Sequence, residues 1–129
     1  MKVLSLKEPY VSLIKEKIKT IETRSFKTNY RGELYLHASK VSADLKNEKV
    51  KQAFNLLNDK ELKNGYILLK CNLVDCVYMD ENFVKKIKDN KQEYLCGEYK
   101  VGRYAWILED IQVLDEPILA KGKLGIWNY

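Results

Sequence analysis

Apolar positions along this chain change period several times, and each change predicts an element. Val3-Leu4-Ser5-Leu6 reads as a short strand. Pro9 suits a first helical turn, after which Tyr10, Leu13, Ile14 and Ile18 recur at helical spacing while Lys15, Glu16 and Lys17 face outward. Alternation and β-branched residues return over Ile21 to Phe26, which reads as a strand. A turn over Asn29 to Gly32 leads into a third strand, Glu33 to Ala38, with Leu34 and Leu36 on one face and Tyr35 and His37 on the other.

Ser42 predicts the cap of a second helix, with Asp44 in its first turn and Val50, Ala53, Phe54 and Leu57 as its buried stripe. Asn58 to Asn64 is charged and aperiodic, a loop closed by Gly65. In the long strand predicted over Tyr66 to Met79, Ile67, Leu69, Cys71 and Leu73 hold one phase before Val74 and Cys76 take the other. Such a flip predicts a bulge or a bend, as at the corner of a small barrel. Asp80 caps a short helix through Phe83, Val84 and Ile87, and the polar stretch Lys88 to Gly102 is predicted to be a mobile loop. Tyr104 to Leu114 repeats the phase switch, Pro117 ends that strand or marks an edge, and Lys121 to Tyr129 is a final strand. Together these make an α+β protein. The pattern predicts one domain over 1–129, a small, partly open β-barrel of five or six strands with two or three flanking helices.

Composition narrows the function. The 129 residues are 46% apolar and 32% charged, as in a globular domain. No apolar run approaches the ~20 residues that span a bilayer, and Met1 to Leu6 meets Lys7-Glu8-Pro9 too soon for a signal peptide. A cytoplasmic protein is expected. Cys71, Cys76 and Cys96 are odd in number and lack Cys-x-x-Cys spacing, so buried, inert thiols are expected rather than a disulfide framework or a zinc site. With His37 the only histidine and no acidic cluster, neither a metal nor a cofactor is expected.

Charge is distributed unevenly. Residues 1–40 hold nine Lys/Arg and four Asp/Glu, a net +5, whereas the remainder holds fourteen of each. That segregation predicts one positive surface for a polyanion or a phosphorylated ligand, with Lys2, Lys7, Lys15, Lys17, Lys27 and Arg31 as its rim. Inside the basic part lies Lys19-Thr20-Ile21-Glu22-Thr23-Arg24-Ser25. On a strand, Glu22 and Arg24 share a face, with α-carbons about 6.6 Å apart. Lys19 joins them if the helix before it is not fully unwound. A carboxylate so placed steadies the cations and accepts from a base amino group, while the cations receive a phosphate or a developing oxyanion. A plain surface salt bridge is the alternative.

Lys7-Glu8-Pro9-Tyr10, Ser12-Leu13-Ile14 and Lys19 to Ser25 resemble the opening of the ASCH domain family, which has a PUA-like barrel. The family signature runs Gly-x-Lys-x-x-Glu-x-Arg; here Lys17 stands at the glycine, and Lys19, Glu22 and Arg24 match. The resemblance continues through Leu34 to Ser39, Gly102 to Trp106 and Lys121 to Trp127, so it spans essentially the whole chain. It implies a cleft containing Lys19, Glu22 and Arg24, with Lys7, Tyr10 and Ser25 beside them, and it implies RNA or other nucleic-acid binding. Some relatives are amidohydrolases acting on acetylated cytidine, or nucleases. The amidohydrolase branch pairs a lysine with a threonine three residues on, where this chain has Glu22.

The expectation is therefore a protein that holds RNA or a nucleotide through Lys7, Tyr10, Lys17, Lys19, Glu22, Arg24, Ser25 and His37. The alternative is a small hydrolase of a modified nucleoside or of RNA, with Lys19 and Glu22 catalytic. A basic face for an acidic protein partner is a third possibility. Individual roles stay open at this point: His37 is a cleft base or a satisfied half-buried group, and Tyr10 and Trp127 stack on bases or belong to the core. Arg103 lines the same opening or pairs with Glu98 or Glu109.

Overall fold

The computed structural model describes residues 1–129. Its strands form one mixed sheet curled into a half-barrel, in the order β2-β5-β4-β3-β1-β6. The strands are β1 (Lys2–Leu6), β2 (Ile21–Arg24), β3 (Gly32–Ala38), β4 (Tyr66–Tyr78), β5 (Tyr104–Leu119) and β6 (Ile126–Asn128). Between them lie α1 (Tyr10–Lys15), α2 (Glu48–Asn55), α3 (Glu81–Ile87) and α4 (Lys91–Leu95). β1 and β3 are parallel; every other pair is antiparallel. The α+β barrel architecture is the expected one, but the helices number four rather than two or three.

The extra helix is α4, inside the stretch read as a loop. Asn90 caps it, its side chain accepting from the Glu93 amide at 3.3 Å. Its one buried residue is Glu93, so no apolar stripe announces it. The cap of α2 is Asn47, not Ser42: Asn47 accepts from the Val50 amide at 3.2 Å. Ser42 instead takes a hydrogen bond from Asn64 at 2.9 Å. Asp80 caps α3 as expected, accepting from the Phe83 amide at 2.7 Å.

Both phase switches mark bulges. The β4–β5 register shifts between Ile67 and Leu69, between Lys70 and Asn72, and between Leu73 and Asp75. At the first shift β4 advances two residues while β5 retreats from Ile118 to Val113. Pro117 sits in that slack, where its missing N–H removes no ladder bond, and β5 continues past it to Leu119. At the second, Asp110 takes a left-handed φ of 56°. The bends curl the sheet around a core of Leu4, Leu36, Leu69, Leu73, Trp106 and Leu108, against which α1 packs Val11 and Ile14. Each such side chain contributes about 1.5–3 kcal/mol by burial.

The end of α1 sets up the site. The Lys17 amide donates to Ile14 O, and the Ile18 amide to Leu13 O, both at 2.9 Å. That pairing is a Schellman motif, whose residue after the cap must turn left-handed. Lys17 does so, at φ 63°. A glycine fits this position without strain, which gives a physical reason for glycine in the family signature. The reversal ends the helix at Lys15, earlier than the apolar spacing suggested, and delivers Lys19 to the face of Glu22.

Candidate functional site

Four parts of the fold converge on an open cleft of about 730 Å³. β2 supplies Glu22, Thr23 and Arg24, and the β1–α1 corner supplies Lys7 and Tyr10. Lys49 of α2 and the turn Cys96-Gly97-Glu98 after α4 form the facing wall. The lining carries five Lys/Arg (Lys7, Lys19, Arg24, Lys49 and Arg103) and two carboxylates, Glu22 and Glu98.

Lys19, Glu22 and Arg24 meet at the floor. Lys19 is 1% exposed and Glu22 8%. Lys19 Nζ lies 3.7 Å from Glu22 Oε1, and Arg24 donates to Glu22 Oε2 at 3.0 Å. Glu22 thus stands between two cations, one on each oxygen. Lys19 also sits 5.5 Å from the ring centroid of Tyr10. Burial pushes the Tyr10 phenol up, with Cys96, Glu22 and Glu98 adding to it.

The facing wall is held by cations as well. Three successive carbonyls each accept from one: Cys96 O from Lys19 at 2.6 Å, Gly97 O from Lys49 at 2.5 Å, and Glu98 O from Arg103 at 3.0 Å. Because carbonyls are dipoles, they orient these side chains without cancelling their charge. The Glu98 amide donates to Thr23 Oγ1 at 3.0 Å, and Glu93 Oε1 accepts from both the amide and the hydroxyl of Thr20, at 2.8 and 2.7 Å. A side chain at Gly97 would place its Cβ 2.8 Å from the Tyr99 ring and 2.9 Å from the Thr23 methyl, so only glycine lets the wall approach β2. Burial pulls the Lys49 ammonium down from its ordinary value and pushes the Cys96 thiol up.

Of the residues predicted from sequence, Lys7, Tyr10, Lys19, Glu22 and Arg24 line the cleft, and Lys17, Ser25 and His37 do not. His37 is buried, bonded through Nδ1 to the Ser5 hydroxyl at 2.9 Å and through Nε2 to Ala120 O at 2.7 Å. Since a carbonyl only accepts, Nε2 is the donor, and in the neutral ring Nδ1 is then the acceptor. Trp127 completes this group, donating to Ser5 Oγ at 3.1 Å, and is buried in the core. Among the predicted rim cations only Lys7 reaches the cleft; Arg31 pairs with Asp75 at 3.7 Å. Arg103 does both things left open for it, lining the cleft and lying 3.8 Å from Glu98. Reading the sequence missed Lys49 and the Cys96 to Glu98 wall. Gly97 in a polar stretch was the only local sign of a close approach.

The thiols are as expected for Cys71 and Cys96, both buried and free; burial lifts the Cys71 thiol to about 12. Cys76 is only partly covered. No group of three or more His, Cys, Asp or Glu is placed to hold a metal ion, and no helix is long and apolar enough to cross a membrane.

A curled mixed sheet with a polar cleft at the α1–β2 junction defines a protein of the PUA-like barrel class. The chain matches the ASCH domain family over residues 4–118 and belongs to it. No curated protein matches the chain.

Proposed function

We propose that residues 1–129 act as one domain that binds nucleic acid, RNA or a nucleotide, in this cleft. The compartment is the cytoplasm, which suits three free thiols. The observation that carries the reading is the excess of five cations over two carboxylates around a volume of about 730 Å³, a size that accepts a nucleotide. Lys7 and Lys49 contact phosphate. Arg24, with one of its five donors used on Glu22, grips a phosphate or a base edge. Glu22 accepts from an exocyclic amino group.

The test is anisotropy of labelled single-stranded RNA over a range of salt. Log affinity falls against log salt by about 0.7 per phosphate contact. Lys7→Ala and Lys49→Ala each weaken binding and flatten the slope by about 0.7, whereas Lys17→Ala, outside the cleft, changes neither. An affinity indifferent to salt overturns the reading.

One observation favours a second reading, hydrolysis of a modified nucleoside: Lys19 and Glu22 form a buried ionisable pair 3.7 Å apart at the floor. Turnover of acetylated cytidine, lost in Lys19→Ala, would establish it. Unchanged substrate dismisses it and leaves the binding reading standing.

A further inference from the structure

Next to the cleft, at Arg24, the sheet carries a row of aromatic side chains that the site does not use. The register pairs Arg24 with Tyr104 and Tyr104 with Tyr78, and directly opposed residues of antiparallel strands share a face. The three side chains therefore run in line from β2 across β5 to β4. Tyr78 and Tyr104 pack edge to face, 5.6 Å apart at 71°. Two residues beyond Arg24, Phe26 packs edge to face on Trp106, 5.7 Å apart at 86°. The Arg24 guanidinium lies 5.5 Å from the Phe26 centroid and 5.8 Å from that of Trp106.

Phe26 and Tyr78 are held and open at once, on a buried Trp106 and a half-buried Tyr104. Phe26 is 46% exposed and Tyr78 51%, among the larger apolar groups left to solvent. In an edge-to-face pair one ring offers its edge and the other its face, and the exposed part of Phe26 and Tyr78 is the surface a flat partner can reach. The cation that fixes Phe26 is the same Arg24 that lines the cleft. An aromatic surface joined to a cationic one through a shared guanidinium matches a chain that alternates flat bases with anionic phosphates.

We propose that Phe26, Tyr104 and Tyr78 form a base-stacking platform, which continues the cleft across β2, β5 and β4 for a single-stranded nucleic acid longer than one nucleotide. The platform rests on the cleft reading above. It makes the protein a reader of extended strands, with phosphate held at Arg24 and successive bases laid on Phe26 and on the Tyr104–Tyr78 pair. Stacking tolerates any base, so the platform adds affinity and strand preference rather than sequence choice. A duplex, its bases already stacked on one another, gains nothing from it.

Three probes separate the terms: a mononucleotide, an oligouridylate of about eight residues, within the usual range of single-strand site sizes, and an abasic oligomer of equal length. Phe26→Ala and Tyr78→Ala each weaken the oligouridylate by about 5- to 100-fold, and Tyr78→Ala, which leaves the Arg24–Phe26 contact in place, binds the mononucleotide and the abasic oligomer as tightly as before. Tyr78→Phe retains wild-type affinity. Thermal melting confirms that the variants fold. Wild-type affinity for the oligouridylate in both alanine variants overturns the platform while the cleft reading stands, as does an equal loss of Tyr78→Ala on the abasic oligomer. If the wild-type protein binds none of the three, both fall together, and the exposed rings serve another partner.

Discussion

Two polar clusters meet around the β1–α1 corner, both largely buried, and Ser5 of the first also lines the cleft. In one, Trp127 donates to Ser5, Ser5 to His37, and His37 to the Ala120 carbonyl. Every ring nitrogen and hydroxyl there has a partner. In the other, Lys19 and Arg24 flank Glu22, and their ammonium and guanidinium hold more donors than the protein engages. The first is a closed circuit that fastens β6 and its preceding loop to β1 and β3. The second has hydrogen-bonding capacity left over and faces a void. Burial of polar atoms is common to both; leftover donors beside open volume distinguish a binding floor from a structural knot.

The strongest way to break this comparison is to remove Glu22. Glu22→Leu strands Lys19 without its carboxylate and should cost about 3–5 kcal/mol, read as a lower midpoint in urea, with nucleic-acid binding lost as well. His37→Leu should cost about 1–3 kcal/mol by leaving Ser5 and Ala120 unpaired. Its salt slope for RNA should stay at the wild-type value, and a flattened slope would assign the knot a part in binding. Lys17→Gly tests the turn rather than either cluster. It should raise stability by about 0.5–1 kcal/mol by relieving a left-handed lysine, with the cleft unchanged.

The smallest effect is on pH. Burial holds the Lys49 ammonium below the ordinary 10.5, so Lys49 loses its proton before a free lysine would. Phosphate affinity should therefore begin to fall at a lower pH in the wild-type protein than in Lys49→Arg, measured by titration through the alkaline range. The stability contribution runs the other way. The unfolded chain holds that proton more tightly, so folding gains from this group as pH rises through the depressed value.

Much of this was legible in the sequence for reasons of period. Two phase flips located the bulged strands, because a period of two cannot reverse without an extra residue. The Glu22–Arg24 spacing placed both on one face for the same reason. What stayed hidden was long range or lacked a pattern. Lys49 looks like solvent-facing charge on α2, and only its bond to Gly97 brings it to the cleft. Helix α4 buries a glutamate where an apolar stripe would be the signal. The concentration of cations before residue 41 did not become a concentration in space: two of the five cleft cations, Lys49 and Arg103, come from the electrically balanced remainder.

The three carbonyls of Cys96, Gly97 and Glu98 have a thermodynamic consequence. A free lysine or arginine carries about 2 kcal/mol of rotamer entropy, and a surface that must order such side chains upon contact loses that much of its attraction. Here Lys19, Lys49 and Arg103 are each moored before a guest arrives. The cleft is preorganised, and an incoming anion meets a mould that has already set.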